Sequence, residues 1–341
     1  MLEINLTLDP CLSLSGRSLV SANVVYGSNK EIYQNLEVVR SLNQAKFPVY
    51  LVQSRVTKKL YAMKVFGHEN GRPHLHYKNE SRFASLRHPN VIRNLFFEDR
   101  RKSCFDGIQT HISYIVTEYN SHGDFFTFLS TQGKQVSEKL ARTYFRQLIE
   151  GIDYLHKNGV AHMDIKLENL LIGNDFNLKM IDFDMAHYVD DALIISHGTK
   201  NYRAPEVAKG RCNNPKAADI FSAAVVLFLL KTQGIFPTLE TTTITRIKFS
   251  ELLELNPSEF WVEHCKLQER NQEFFYDDFR DLFLSMINFD PNKRASIEAI
   301  KKSKWFNGSH YTSQELKEKM SSLLSSSPKV DSFSSDFDSS S

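Results

Sequence analysis

The stretch His162-Met163-Asp164-Ile165-Lys166-Leu167-Glu168-Asn169 says most about the fold of this chain, and the apolar run Leu170-Leu171-Ile172 follows it directly. It places a carboxylate, an ammonium group and an amide, from Asp164, Lys166 and Asn169, in one short loop. Phosphoryl transfer requires a carboxylate that orients the attacking hydroxyl and accepts its proton, a cation near the transferring group, and oxygen ligands for a metal ion. Taken alone, the stretch also fits a polar turn between a helix and a strand.

Three other motifs lie on either side of this loop. Met180-Ile181-Asp182-Phe183-Asp184 ends an apolar strand with a carboxylate eighteen residues after Asp164 (182 − 164), where it could hold magnesium against nucleotide phosphates. Tyr61-Ala62-Met63-Lys64 ends a predicted strand with a lysine, and Gly198-Thr199-Lys200-Asn201-Tyr202-Arg203-Ala204-Pro205-Glu206 precedes a predicted helix. Each motif alone is more often structural: a surface turn, a sheet-edge lysine or a loop. Their order along the chain makes the combination specific.

The composition is typical of a soluble globular protein. The 341 residues are 41% hydrophobic and 24% charged, which is enough apolar content for a sizeable core. The 42 Lys and Arg against 40 Asp and Glu leave a net charge of +2, so the charge balance does not indicate a nucleic-acid partner. The cysteines at 11, 104, 212 and 265 form no C-x-x-C pair, which argues against a zinc site or a disulfide framework.

The sequence predicts neither a signal peptide nor a membrane span. Its N-terminal residues lack a basic region followed by an apolar block, and its longest apolar run, 223–230, is too short to cross a bilayer. We therefore expect a cytoplasmic protein without a membrane span, with the nucleus as the alternative location.

Short β-branched and aromatic runs dominate the first third of the chain. They predict strands at 38–39, 49–52, 60–66, 91–97 and 112–119, with one helix near 78–86. After Asp124 the apolar period becomes helical. Ser137 is placed to cap a long amphipathic helix and Gly159 to end it. Strands first and helices second predict an α+β protein with two lobes.

These motifs, in this order, resemble the eukaryotic protein kinase catalytic domain. The likeness covers residues 36–306, and the patterns around Lys166 and Gly198-Thr199 are similar to the serine/threonine class. The helix that carries Asp219 resembles the calmodulin-dependent and AMP-activated branch. The resemblance implies a small antiparallel β-sheet N-lobe with one main helix and a larger, mostly helical C-lobe.

The expected domains follow from this likeness and from composition. They are an extension over 1–33, a kinase domain over 34–306 with lobes at about 34–118 and 119–306, and a disordered tail over 307–341. The tail is predicted because the serine-rich sequence from Ser321 onward cannot bury enough apolar surface.

The resemblance also implies catalytic roles. Lys64 resembles the lysine that contacts the α- and β-phosphates of ATP. Glu80 resembles the helix carboxylate that pairs with that lysine. The distance from Glu80 to His88-Pro89-Asn90 is one residue short of the usual spacing, so Asn79 is the alternative. The remaining implied roles are the catalytic base Asp164, the catalytic-loop lysine Lys166, the substrate-facing Thr199, and the Mg²⁺ ligands Asn169 and Asp182.

The resemblance likewise implies a nucleotide site between the lobes. Tyr114-Ile115-Val116-Thr117-Glu118-Tyr119-Asn120 resembles the hinge, where backbone groups of Glu118 and Asn120 bind adenine and Thr117 is the gatekeeper. The base would lie between Val49, Ala62 and Leu171, and Asp124 would contact ribose. Asp219 and an Arg294–Glu206 pair are the implied structural anchors.

Three positions depart from the family pattern. The loop Leu42-Asn43-Gln44-Ala45-Lys46-Phe47-Pro48 has no glycine, and Pro48 lacks an N–H, so fewer backbone donors are available for phosphate. The arginine expected before Asp164 is Met163. The glycine expected after Asp182-Phe183 is Asp184, which places another carboxylate beside the predicted metal site.

The main hypothesis is an active kinase that transfers the γ-phosphoryl group of Mg-ATP to Ser or Thr hydroxyls of protein substrates. One alternative is a pseudokinase that acts as a nucleotide-binding or protein-interaction scaffold, which the altered loop favours. Another is a small-molecule kinase, against which the peptide-platform motif at 199–206 argues.

We also expect activity to be independent of phosphorylation in the activation segment, 182–206. Met163 cannot pair with a phosphate as the family arginine does, and the usual phosphothreonine position, counted back from Gly198, is Ile195. Ile194 and Ile195 would then hold the segment by packing. The alternative is a phosphosite at Ser196 or, less compatibly with its expected contact to Lys166, at Thr199.

Overall fold

Strands with one apolar face build an antiparallel sheet in the first lobe. The computed structural model describes residues 30–43, 46–105, 108–132, 136–191, 198–210, 212–238 and 249–325. In chain order the first lobe contains α1 (Lys30–Gln34), β1 (Leu36–Ser41), β2 (Val49–Ser54), β3 (Leu60–Glu69), β4 (Arg72–Pro73), α2 (Leu75–Ser81), β5 (Asn94–Phe105) and β6 (Ile108–Glu118). The sheet order is β1-β2-β3-β6-β5, with β4 beside β3, and every pairing is antiparallel.

The alternation of side chains along β3 separates the buried face of the sheet from the face that carries Lys64. Tyr61, Met63 and Val65 are buried on one face of the sheet, whereas Ala62 and Lys64 on the other face are only partly buried. Successive residues of a strand point to opposite faces, so this register directs Lys64 away from the sheet core.

Helices form most of the second lobe. In chain order it contains α3 (Phe125–Gln132), α4 (Glu138–Lys157), β7 (Val160–Ala161), β8 (Leu170–Ile172), β9 (Leu178–Met180), β10 (His187–Tyr188), α5 (Pro205–Ala208), α6 (Pro215–Thr232), α7 (Phe249–Leu255), α8 (Pro257–Leu267), α9 (Asp277–Met286), α10 (Ile297–Lys302) and α11 (Ser313–Ser325). Strand β7 pairs with β10, and β8 pairs with β9. Helix α6 is apolar on all sides and buried along nearly its whole length, so it forms the centre of the core. The predicted two-lobed α+β fold is confirmed.

The long helix α4 begins and ends where its caps predict. The hydroxyl of Ser137 accepts a hydrogen bond from the Leu140 N–H at 3.3 Å. Gly159 adopts φ +70 just beyond the helix, a conformation that costs glycine little. Among the residues that the structure describes, no helix is long and apolar enough to cross a membrane.

The predicted helix near 78–86 is displaced towards the N-terminus. Helix α2 ends at Ser81, and the N–H groups of Arg82, Phe83 and Ala84 each bond to the carbonyl three residues earlier. Hydrogen bonds of this spacing are typical of turns tighter than the α-helix, so the backbone is no longer α-helical after Ser81. The strand predicted at 91–97 begins later, at Asn94, and both long strands extend further into their hairpin than predicted.

Two domain boundaries also differ from expectation. Ile32 and Tyr33 of α1 pack against the core of the first lobe, and the Tyr33 ring stacks on Phe96 with centroids 5.8 Å apart, so the first lobe includes residues assigned to the extension. The prediction of a disordered tail over 307–341 is wrong for Ser313–Ser325, which form α11. Residues 1–29 and 326–341 lie outside the described residues.

Candidate active site

The carboxylate of Asp164 is held by hydrogen bonds to both of its oxygens. Its Oδ1 accepts from the N–H and the hydroxyl of Thr199, both at 2.9 Å. Its Oδ2 accepts from Lys166 Nζ at 2.7 Å and from Asn169 Nδ2 at 3.0 Å. Lys166 Nζ also donates to Thr199 Oγ1 at 2.9 Å. The structure therefore brings three other predicted site residues into contact with the Asp164 carboxylate.

A buried carboxylate fixes the backbone of this loop. Asp219 is 1% exposed and accepts the N–H groups of His162 at 2.9 Å and Met163 at 2.8 Å. His156 Nε2 lies 2.9 Å from the same carboxylate. Met163 has φ +64, an unfavourable conformation for a residue other than glycine, at a cost of about 1–2 kcal/mol that the bonds to Asp219 offset.

Gly198 closes the same loop from the other side. It has φ +46, and a Cβ there would approach the Met163 carbonyl oxygen to 3.1 Å. Glycine therefore lets the chain that carries Thr199 pass close to the Asp164 loop.

Lys64 connects the two lobes. Its Nζ lies 2.8 Å from Glu80 Oε2 and 2.7 Å from Asp182 Oδ1. Asn79 instead donates to the carbonyl oxygens of Asp184 and Ala186, both at 2.8 Å. Of the two sequence candidates for the partner of Lys64, the structure places Glu80 there.

Three carboxylates, from Glu80, Asp182 and Asp184, surround the single ammonium of Lys64, with Asp184 Oδ2 at 3.7 Å from Nζ. Burial opposes the charge of Lys64, but the carboxylates outweigh it and raise the pKa of the lysine. Burial together with Asp182 raises the pKa of Asp184 and of Glu80, whereas Lys64 overcomes burial and lowers the pKa of Asp182. The site has an excess of negative charge that a divalent cation would neutralise.

The donor set fits magnesium. Asn169 directs its Nδ2 to the backbone and carboxylate oxygens of Asp164, which leaves its amide oxygen for a metal ion. Asp182 supplies a carboxylate whose side chain is 31% exposed. Hard oxygen ligands of this kind suit Mg²⁺, which also retains several waters.

The residues predicted to hold adenine and ribose line the strands and hinge beside Lys64. Val49 pairs with Lys64, Ala62 pairs with Thr117, and Leu171 bridges to Asp124. The predicted sandwich residues Val49, Ala62 and Leu171 are all partly buried, as are Thr117 and Glu118, whereas Asn120 is 8% exposed.

Two polar side chains near the hinge already have structural partners. The Asp124 carboxylate accepts from the N–H of Thr127 at 2.8 Å and from its hydroxyl at 3.1 Å, so it caps α3. Asn174 braces the hinge by donating to the Tyr119 carbonyl oxygen at 2.8 Å. The sequence predicts a ribose contact for Asp124, which stays a prediction, and carries no signal for the role of Asn174.

In the glycine-free loop between β1 and β2, part of the hydrogen-bonding capacity is used within the loop itself. The N–H of Val49 donates to Asn43 Oδ1 at 2.8 Å, and Pro48 has no N–H to offer. The ring of Phe47 packs on Phe66 with centroids 5.0 Å apart and on His76 at the same distance. Residues 44 and 45 of the loop lie outside the described residues.

His76 is a site residue that the sequence did not reveal. Its Nδ1 lies 3.0 Å from Asp184 Oδ2, the carboxylate that replaces the family glycine. In the second lobe, Arg294 makes the predicted pair with Glu206, with donor–acceptor distances of 2.6 and 2.7 Å, which confirms that anchor. The activation-segment positions Ile194, Ile195 and Ser196 lie outside the described residues.

Residues 45–306 match the protein kinase domain family. CBL-interacting protein kinase 11 of Oryza sativa subsp. japonica is 31% identical over 280 residues, which cover 79% of this chain and 51% of the relative. Serine/threonine protein kinase OSK3 of Oryza sativa subsp. indica is 29% identical over 297 residues, 84% of this chain and 53% of the relative. Serine/threonine-protein kinase kin-29 of Caenorhabditis elegans is 29% identical over 244 residues, 71% and 26% respectively. The chain thus spans about half the length of the two Oryza relatives.

Proposed function

This chain belongs to the protein kinase domain family, and we propose that it is an active serine/threonine protein kinase that phosphorylates protein substrates with ATP. The proposal rests on the Asp164 carboxylate, which is oriented by hydrogen bonds from Thr199, Lys166 and Asn169. A scaffold that only bound nucleotide would not need this arrangement.

The residues around Asp164 support a direct transfer. The substrate hydroxyl oxygen forms a bond to the γ-phosphorus of ATP, and the bond from that phosphorus to the β–γ bridging oxygen breaks to release ADP. Asp164 orients the hydroxyl and takes up its proton, as a positioned base does in this reaction. Lys166 holds positive charge beside Asp164 and Thr199, near the position of the transferring group.

Another set of residues would contact the metal ion and the phosphates of ATP. Asn169 and Asp182 would hold Mg²⁺, which when bound neutralises phosphate charge. Lys64 would contact the α- and β-phosphates from its position between Glu80 and Asp182. With Val49 N–H bonded to Asn43 and no N–H at Pro48, ATP binding depends more on Lys64 than on the β1–β2 loop.

The proposed activity does not depend on phosphorylation of the activation segment. Met163 replaces the arginine that pairs with a phosphate in many relatives, and its side chain is buried at 6% exposure. The sequence carries Ile195 at the usual phosphosite. Both halves of the usual phosphate switch are therefore missing from the sequence at these two positions.

The proposal is tested by labelled-ATP transfer with three variants. Asp164→Asn keeps the size of the side chain but removes the base, and we expect a loss of about 10²- to 10⁴-fold in kcat. Asp182→Asn should lower activity and raise the Mg²⁺ concentration needed for half-maximal rate. Asp281→Asn, an exposed change of the same type on α9, should leave the rate unchanged.

Thermal unfolding of all three variants should match that of the wild type to show that the fold is intact. Nucleotide-induced stabilisation without transfer by the wild type would favour the pseudokinase alternative. Equal rates for Asp164→Asn and the wild type would refute the assigned role of Asp164.

A further inference from the structure

Side chains on either side of Glu80 join the region of α2 to the first part of the activation segment. Asn79 donates from one amide nitrogen to the carbonyl oxygens of Asp184 and Ala186, both at 2.8 Å. Arg82, the residue directly beyond the end of α2, donates to Asp191 at 2.8 Å from Nη2 and at 3.2 Å from Nη1. These contacts lie on either side of Glu80 and span the segment that follows Asp182.

Asp191 is the anion in this attachment. Besides Arg82, its carboxylate accepts the N–H of Tyr188 at 3.1 Å and lies 3.3 Å from Nδ1 of His187. The Arg82 guanidinium also lies 4.8 Å from the centroid of the Tyr188 ring. Hydrogen bonds from Arg82 lower the pKa of Asp191, so the carboxylate is charged at neutral pH.

When phosphorylation orders an activation segment, the phosphate group is an anion that pairs with an arginine. Here the anion is part of the chain. It lies 109 residues from its arginine and so connects two separate parts of the fold. The position of α2 decides whether Glu80 reaches Lys64, since Glu80 lies on α2 and Lys64 on the sheet.

We infer that Asp191 is a permanent anion that, through Arg82 and with Asn79, holds α2 where Glu80 pairs with Lys64, so that no phosphate is required. Arg82 and Asp191 are positioning residues: neither contacts Lys64 or Asp164, and they act on the reaction through Glu80 and Lys64. The inference rests on the proposed kinase activity and supplies a physical basis for its independence of phosphorylation.

The effect of removing one partner is expected to be moderate. The Arg82 side chain is 39% exposed and that of Asp191 23%, so solvent and salt screen the pair. For partly exposed pairs we expect Asp191→Ala or Arg82→Ala to reduce kcat/KM for ATP by about five-fold. The KM for a peptide substrate should not change, because both substitutions lie outside the predicted peptide platform at 199–206.

The test uses the 341-residue chain after phosphatase treatment. Asp191→Ala and Arg82→Ala should show the loss in kcat/KM for ATP and a weaker affinity for a fluorescent ATP analogue, with an unchanged thermal midpoint. The exchanged pair Arg82→Asp with Asp191→Arg should recover part of the loss, which would assign that part to the ion pair rather than to either side chain alone. The matched control is Glu263→Ala, which breaks the Lys266–Glu263 ion pair on α8 and should have no effect.

Two results would overturn the inference while the proposed function stands. One is a phosphatase-treated wild type that is inactive although untreated protein is active. The other is an active wild type whose rate and nucleotide affinity are matched by Asp191→Ala. If neither treated nor untreated wild type transfers phosphate, the proposed function itself fails, and the inference fails with it.

Discussion

His264 is the residue whose protonation the fold constrains most clearly. It is fully buried on α8, and its Nε2 lies 3.0 Å from the Pro237 carbonyl oxygen. A carbonyl oxygen only accepts, so Nε2 carries the proton. The rings of Phe228, Phe249 and Phe260 lie with centroids 4.8, 4.4 and 4.6 Å from the imidazole. Burial in this apolar cage lowers the pKa of His264 to about 4.

We predict that the protein loses stability as the pH falls from 6.5 towards 4. Below the ordinary pKa of 6.5 the unfolded chain protonates His264 while the folded chain does not, so the unfolded state binds more protons and is favoured. At about pH 5 this group should reduce the free energy of unfolding by about 2 kcal/mol, and below both values by about 3 kcal/mol.

Denaturant unfolding of the wild type and of His264→Leu, at about pH 7 and about pH 5, measures this contribution. The leucine variant loses the hydrogen bond to Pro237 and should be less stable at neutral pH. Its stability should nevertheless fall less between the two pH values. An identical fall in both proteins would show that His264 does not titrate as proposed.

At the scale of single residues, the motifs in the sequence identified most of the candidate site. Asp164, Lys166, Asn169 and Thr199 come together as predicted. The choice between Glu80 and Asn79 required coordinates, because the turns after Ser81 alter the spacing to the next landmark.

The contacts that the sequence did not reveal join distant residues. His76 contacts Asp184, and Arg82 contacts Asp191. In each pair the two residues are more than a hundred positions apart in the sequence, so no local sequence pattern predicts the contact. Only the packing of α2 on the activation segment creates them. Positioning residues of this kind are therefore the least predictable part of the site.

At the scale of elements, α11 is the clearest addition to the expected fold. Leu316, Met320 and Leu323 recur at steps of four and three residues and are 1%, 0% and 3% exposed. The N–H of Tyr311 donates to Thr143 Oγ1 of α4 at 2.9 Å just before the helix. The apolar period was present in the sequence, but the serine content of the region obscured it.

We predict that α11 stabilises the second lobe. Met320→Ala should lower the free energy of unfolding by about 2–5 kcal/mol, because it removes a fully buried side chain and leaves a cavity. Lys317→Ala, at an exposed position of the same helix, should change it by less than about 0.5 kcal/mol. Equal stabilities of the two variants in denaturant unfolding would contradict the packing of this helix.

Element types were more predictable than element ends. The caps of α4 lie where Ser137 and Gly159 indicated, since each supplies a local physical signal. Strands β5 and β6 extend beyond their apolar runs because cross-strand pairing, rather than residue type, continues the hairpin.

At the scale of the whole molecule, the two lobes meet through charged and polar contacts around one cleft. Lys64 on β3 contacts Asp182, and Asn79 on α2 contacts the backbone beyond it. The match to the protein kinase domain family over residues 45–306 confirms the family predicted from the motifs, and the named serine/threonine kinases agree with the predicted branch. These contacts and the family match are the observations on which the proposed kinase activity rests.

We propose that this protein transfers phosphate to serine or threonine. The most direct measurement is a radiolabelled-ATP assay with Mg²⁺ against a degenerate peptide library, followed by phosphoamino-acid analysis, with Asp164→Asn as background. We expect labelled phosphoserine or phosphothreonine well above that background, without phosphotyrosine, as the proposed transfer requires. A wild type that ATP stabilises against thermal unfolding, yet that labels neither itself nor any peptide above the Asp164→Asn protein, would contradict it.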